Sequence, residues 1–585
     1  MIKTHKLAGA LMTLLSGVAF YCFFALKYPY HLHFQEQFQL FESTWEYFRG
    51  VAAVPGGFSD WAGRFLTQFF YYAPAGAVIM AILLCAVQIL TWASCRRRTL
   101  ATYALAFIPA LTLLAFHCDE SALAGGTVAV ILSLAAVVLC GLVRPDRTRL
   151  ILELLAVPSL YMACGSLAVI FVLITIINES VRCGRKFLPC AAAMVALAIL
   201  CPVVSAHIFP YPLKRLVLGV HYYRFHNILP GMLWVSAAAC VLVAAFACLR
   251  SKEMPSRRQL TAGIAAFVLV AAAGTALTLK SADWSKEEWM RYDFMVRMEM
   301  WNRIMMQADK ANPDNPATVS CLNLALARTG RMGDHQFDYF QNGPEGLLPS
   351  FSRNFTGPII TGEIFWNLGM VNTAQRYVFE AQEAIPDFQK SARCYRRLAE
   401  TNIVNGDLGV ARKYLKSLHN ALFYRRWADE TLALLDSGNI FEKRPELARE
   451  RDLRLKEHDF LFSDTEMDSM LGLLQVENPS NSMALDYLLS WCLLRKDLDR
   501  LAEVIVLVTA PALPKSCQEA LLLKWMLTHD SFEGLPGFIS SAYVQRISQF
   551  LIDIRSGKTE DQMRAQYGDT YWFYYYYRYR TSTQQ

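Results

Sequence analysis

Over the first 280 positions apolar residues run in long stretches parted by short polar loops; beyond Lys280 they recur at helical spacing among charged residues. The long stretches fall at 7–26, 73–94, 99–116, 124–143, 150–181, 187–208, 229–249 and 258–279. Most match the ~17–25 residues that cross a bilayer as a helix. The stretch 150–181 is longer and carries Pro158 and Gly165, so it reads either as one helix or as two short ones meeting at 161–166. Charge decides between these. With the basic N-terminus inside, Arg96-Arg97-Arg98 and the cluster 144–149 are inside too, and only a divided 150–181 also brings 182–186 and 250–258 inside. The pattern therefore predicts about nine membrane segments in a domain spanning 1–280, with everything after residue 280 on the outer side. In a two-membrane bacterium that side is the periplasm and the membrane is the inner one. The first segment has a core too long for a cleaved signal, and Ala19-Phe20-Tyr21 before Cys22 lacks a small residue at the lipoprotein position, so it is expected to remain as an uncleaved span.

The half from 281 to 585 is predicted to be a soluble helical array. In 364–386, Gly369, Ala374, Ala381 and Pro386 hold the small and terminating positions of a tetratricopeptide repeat. A second copy has Tyr395, Leu398, Ala399, Gly406 and Ala411, with Asn405-Gly406-Asp407 as its turn, and weaker copies lie at 301–334 and 483–506. Small residues let paired helices approach closely, and stacked pairs share a core and leave a concave face. A generic helical bundle is the alternative; both are all-α. The tail 571–580 (YWFYYYYRYR) is expected to cap this array or to lie at a membrane interface.

Composition narrows the function. At 54% hydrophobic the chain is too apolar for one soluble protein, and its net charge of +7 resides largely in short clusters beside apolar stretches, where it orients segments rather than binding nucleic acid. Of the 15 cysteines only Cys321, Cys394, Cys492 and Cys517 lie beyond residue 280, with no zinc-type spacing.

Candidate chemistry gathers on the predicted outer loops. The first, 27–72, holds His31, His33, Glu36, Glu42, Glu46 and Asp60 among many aromatics. Interfacial helices are predicted at 34–49 and 58–72, separated by Pro55-Gly56-Gly57. The second loop reads His117-Cys118-Asp119-Glu120, and the third, 206–230, holds Lys214, Arg215, His221, Tyr222, Tyr223, Arg224 and His226. Carboxylates and imidazoles at a membrane face can hold a divalent metal or act as a general base, and Lys and Arg can hold a lipid phosphate. Ordinary loop polarity and interfacial anchoring account for each residue singly.

The segments 31–41 (HLHFQEQFQLF) and 55–72 (PGGFSDWAGRFLTQFFYY) resemble a family of polytopic membrane proteins of Bacteroidetes, a domain of unknown function, along the whole chain. An acidic first outer loop with interfacial helices, an acidic second loop, many spans and an outer repeat domain are similar to the GT-C glycosyltransferases, which use polyprenyl-phosphate sugars. That resemblance implies Glu36 as base and Asp119 or Glu120 as second acid. His31, His33, Lys214, Arg215, His221 and Arg224 would then contact the lipid-linked donor. The other expectation is a non-catalytic membrane scaffold that docks envelope proteins on its repeats. A transporter is disfavoured because the apolar stretches hold few ionisable groups, Glu153 being the main exception.

Overall fold

The computed structural model describes residues 2–249, 255–387, 389–455, 466–509, 512–529 and 531–578. Residues 250–254 of the last basic cluster and residues 579–580 of the aromatic tail lie outside the described residues. The described chain is helical, with one isolated antiparallel bridge, Ala122 with Tyr223. It divides into two compact units, one comprising Met1–Glu287 and Ser417–Arg426, the other Glu288–Lys416 and Trp427–Gln585.

The first unit contains several helices long and apolar enough to cross a membrane: His5–Lys27, Ala73–Ser94, Ala124–Leu142, Asp146–Ile208 and Arg257–Ser281, with Leu100–Phe116 and Gly231–Phe246 as shorter apolar ones. The 63-residue run Asp146–Ile208 is not one rod. Gly165 (φ 66°) and Gly184 (φ 61°) divide it into the helices Asp146–Cys164, Val169–Cys183 and Leu188–Ile208. Left-handed backbone at these two turns is cheap only for glycine. Pro158, by contrast, sits within a continuous helix.

The two ends of these helices differ in chemistry. At one end Arg149 donates to Asp146 and Glu179, both at 2.9 Å, and lies 3.7 Å from Glu153. Arg182 pairs with Asp146 at 3.3 Å, Arg96 donates to the Asn178 carbonyl and Arg97 to that of Leu249. Glu153 is thus one member of a buried ion cluster. At the other end lie the acidic and aromatic loops.

The first of those loops departs from the predicted pair of helices. Its helices are Pro29–Glu36, Trp45–Ala52 and Gly57–Thr67. The predicted helix 34–49 is interrupted because Thr44 acts as an N-cap, its hydroxyl accepting from the Tyr47 amide, and this fixes a new helix start. The Gly57–Thr67 helix buries Gly57, Ser59, Asp60, Gly63, Arg64 and Thr67 and turns its aromatics away. Gly63 crosses Gly125 so closely that a Cβ at 63 would lie 2.3 Å from the Gly125 nitrogen.

The second unit is built of successive helix pairs. Thr356–Asn367 packs on Val371–Glu383, Ala392–Asn405 follows, and Trp301–Lys310 packs on Pro316–Arg328 as Ser482–Arg495 does on Leu498–Val504. Gly369 and Gly406 form their turns at φ 83° and 88°. At the centre Arg393 donates to both Asp293 oxygens at 2.8 and 2.9 Å, and Arg397 bridges Glu363 at 2.6 Å and Glu400 at 2.7 Å. The aromatic tail forms the helix Tyr571–Tyr577, whose Trp572 indole donates to the Glu519 carbonyl and whose Tyr574 hydroxyl donates to that of Leu494. Its first four side chains are core.

Two measurements check this packing. Gly63→Ala should lower the stability of the first unit by about 1–3 kcal/mol, read as a shift in thermal unfolding of the full chain in detergent, because two helix backbones must separate. In the second unit, burial alone would raise the Glu363 carboxyl, but Arg397 and Arg393 hold it below the usual range. Its stabilisation is present above the ordinary carboxylate pKa and is lost as pH falls through the depressed one. Burial pushes Glu450 and Glu519 up to about 7, so their contribution is full below the ordinary carboxylate pKa and is lost as pH rises through about 7. Unfolding followed from about pH 3 to about pH 9 should show greatest stability near the ordinary carboxylate pKa, about pH 4 to 5, with a decline from there to about pH 7, and Glu519→Gln should weaken that decline.

Candidate functional site

The loop end of the first unit is assembled by backbone pairing. Leu123 donates to the Tyr222 carbonyl at 3.2 Å and Arg224 to that of Ser121 at 2.9 Å, which splices the second predicted outer loop to the third. The Tyr222 hydroxyl enters the break between Cys164 and Leu167, donating to the Cys164 carbonyl and accepting from the Leu167 amide. Gly56 donates to the Met162 carbonyl at 2.9 Å, bringing the first loop to the same break.

Around this frame sits an acid and histidine group. Asp119 accepts from the Tyr223 hydroxyl at 2.7 Å and from the Ser121 amide at 2.9 Å. Burial raises its pKa despite both donors. Glu120 pairs with Lys286 at 2.7 Å. His31 is fully buried and stacks on Tyr28 at 4.5 Å, while its backbone amide donates to Glu287 at 3.0 Å. Burial lowers the His31 pKa to about 4, against the pull of Glu120, so the ring is neutral at physiological pH. His117 bonds Thr127 at 2.7 Å, and burial, then nearby His31, lowers it to about 3. His31, His117, Asp119 and Glu120 are therefore neighbours. His33 is half-buried, its ring 6.4 Å from that of Tyr30.

Glu36 points elsewhere. Gln35 donates to the Asp119 and Ala122 carbonyls, and the next residue of the helix, about 100° around its axis, turns Glu36 toward Tyr424, whose hydroxyl reaches its two oxygens at 2.9 and 3.2 Å. Tyr424 belongs to Ser417–Arg426, which the first unit incorporates: Ser417 donates to Glu42 at 2.6 Å, Ser43 to the Asn420 carbonyl at 2.9 Å, and Phe423 stacks on Tyr71 at 5.3 Å. Asp60 is likewise engaged. It forms a buried two-point ion pair with Arg64, and His221 lies 3.8 Å from it. The sequence does not single out Lys286, Arg64 or Tyr424 as site residues, and it places Tyr223 on the third loop without pairing it to Asp119. Asp60 and Arg64 carry a readable signal, the i,i+4 spacing; Tyr424 carries none.

The basic residues separate into two settings. Arg224 is stacked 3.7 Å from the Phe38 ring centroid and 5.1 Å from that of Phe225, and burial lowers its pKa to about 10, leaving it charged. Glu120 acts on it electrostatically. Lys214 and Arg215 instead line a cavity of about 300 Å³ with Tyr223 and His226. Tyr223 joins the two settings: it lines the cavity, and its hydroxyl donates to Asp119. Among the described residues no group of three His, Cys, Asp or Glu side chains is arranged to hold a metal ion.

Because Tyr424 donates to a buried carboxylate, Tyr424→Phe should destabilise the first unit by about 1–3 kcal/mol. Glu36→Gln keeps an acceptor for the same hydroxyl and should cost less; thermal unfolding of the two variants side by side tests the order.

No curated protein and no solved structure matches the chain significantly. The model described as "Family of unknown function (DUF6057)" matches residues 3–578, nearly the whole chain, and the chain belongs to that family.

Proposed function

We propose that this chain is a multi-pass inner-membrane protein with about nine spans and a periplasmic tetratricopeptide-like domain, acting as a non-catalytic scaffold for envelope proteins. The observation that carries this reading is that each expected catalytic acid is engaged in a separate pairing: Glu36 with Tyr424, Asp119 with Tyr223 and Ser121, Glu120 with Lys286. Such pairings hold loops together. The topology is supported by the basic end, where Arg96, Arg97, Arg149 and Arg182 gather as the positive-inside rule wants, and by the Cys164–Leu167 break, which meets Tyr222 at the loop end. Helix pairs with glycine turns support the repeat assignment, and their concave face is where protein partners would dock.

A second reading, a GT-C-like transferase using a polyprenyl-phosphate sugar, is favoured by one feature. Asp119 is one hydroxyl away from the cavity lined by Lys214 and Arg215. In this reading Asp119, rather than Glu36, is the acid nearest a bound phosphate.

Carboxamide replacement separates the two, since Asn or Gln keeps an acceptor for each donor but cannot act as a base. In a strain lacking the chain, Glu36→Gln, Asp119→Asn and Glu120→Gln should each restore envelope resistance to detergent to the wild-type level. Loss of that resistance in any of them, at unchanged abundance in the membrane, would overturn the scaffold and favour the transferase.

A further inference from the structure

The cavity in the loop between the apolar helices Leu188–Ile208 and Gly231–Phe246 has two unlike parts. Its polar part is cationic or neutral: Lys214, Arg215, His226, Asn227 and Tyr223 line it, and among the described residues no acidic one does. Among the described residues the Lys214 ammonium has no hydrogen-bond or ion-pair partner, and its side chain is exposed. The Arg215 guanidinium is held in place by donation to the Val220 carbonyl at 3.2 Å and by stacking 4.9 Å from the Tyr211 ring centroid. Asp119, which Tyr223 joins to the cavity, accepts a hydrogen bond from the Tyr223 hydroxyl.

The rim is apolar. Phe225, Ile228 and Leu229 line the cavity and are 36–51% exposed, on a loop whose two ends enter apolar helices; Leu213 and Val217, on the short helix that carries Lys214 and Arg215, are exposed as well. Exposed leucine, isoleucine and phenylalanine beside a basic pocket have no benefit in water, whereas at the depth of lipid headgroups they bury in the acyl boundary and leave the cations level with phosphate. A free phosphate ion needs the cations but not the rim.

We propose that this cavity binds the phosphate of an anionic membrane phospholipid, with Lys214 and Arg215 on the phosphate and the rim on the upper acyl chain. This rests on the reading of the chain as a membrane protein but is independent of scaffold or transferase activity.

The test uses the full chain in detergent micelles, with phosphatidylglycerol and phosphatidylcholine of matched acyl chains as probes and native mass spectrometry as the readout. Wild type should retain phosphatidylglycerol over phosphatidylcholine by roughly tenfold to thirtyfold, as expected for two basic residues facing one anionic headgroup. Lys214→Gln/Arg215→Gln should lose the preference and Lys214→Arg/Arg215→Lys should keep it. Lys214→Gln alone, at an exposed side chain, should lose part of it without any change in thermal unfolding, so a folding defect in the double variant does not obscure the result. Ile228→Ser/Leu229→Ser should weaken lipid retention and leave inorganic phosphate unaffected. An unchanged preference in the Gln double variant overturns the proposal. So does displacement of the lipid by inorganic phosphate with no dependence on the rim, which would mean a free-phosphate site. Release of the chain from membranes by alkaline carbonate would overturn the membrane reading itself, a result distinct from insertion without lipid preference.

Discussion

A helix broken within an apolar segment leaves amides and carbonyls without partners, and where water is excluded each such group costs free energy on the scale of a lost hydrogen bond. The Tyr222 hydroxyl meets that demand at the Cys164–Leu167 break by donating to one side and accepting from the other. The rest of the loop end follows from this one side chain. Because Tyr222 is fixed, its neighbours Tyr223 and Arg224 are fixed, and with them the bridge to Ala122 and the position of Asp119. Gly56 and Gly165 bring the first loop to the same place, and a Cβ at Gly165 would lie 2.6 Å from the Tyr222 hydroxyl.

Charges in the first unit obey the same constraint. Ionisable groups lie at the two ends of the apolar helices, and the buried ones are compensated: Arg149 by Asp146 and Glu179, Arg64 by Asp60. His31 and His117 are buried by remaining neutral. A buried charge left alone would cost far more than any of these pairs returns. The loop end is thus polar inside, and the cavity lined by Lys214 and Arg215 gives it a cationic face.

Much of the architecture is legible from periodicity. The apolar stretches, the helix pairs of the second half and the break at 161–166 each have a local cause, hydrophobic run length or a glycine, and a local cause leaves a local trace. The predicted helix 34–49 does not form because Thr44, whose capping hydroxyl starts a new helix, outweighs the apolar spacing around Phe38 and Phe41. The site was less legible. Asp119 and Glu120 stand out as acids between apolar stretches, but their partners Tyr223 and Lys286 are distant in sequence and ordinary in type. Glu36 stands out for the same reason, and its partner lies nearly 400 positions away (388 residues).

That last separation bears on how the protein is made. The ribosome adds roughly 5–20 residues each second, and the apolar helices are complete long before Ser417–Arg426 leaves the tunnel. During that interval Glu36, Glu42 and the Phe69–Tyr72 aromatics lack the side chains that finally cover them. The first unit is therefore finished late, by a stretch of chain that is synthesised after part of the second, and a ribosome that stalls between them leaves the apolar helices formed but the first unit unclosed, a natural substrate for chaperones and proteases.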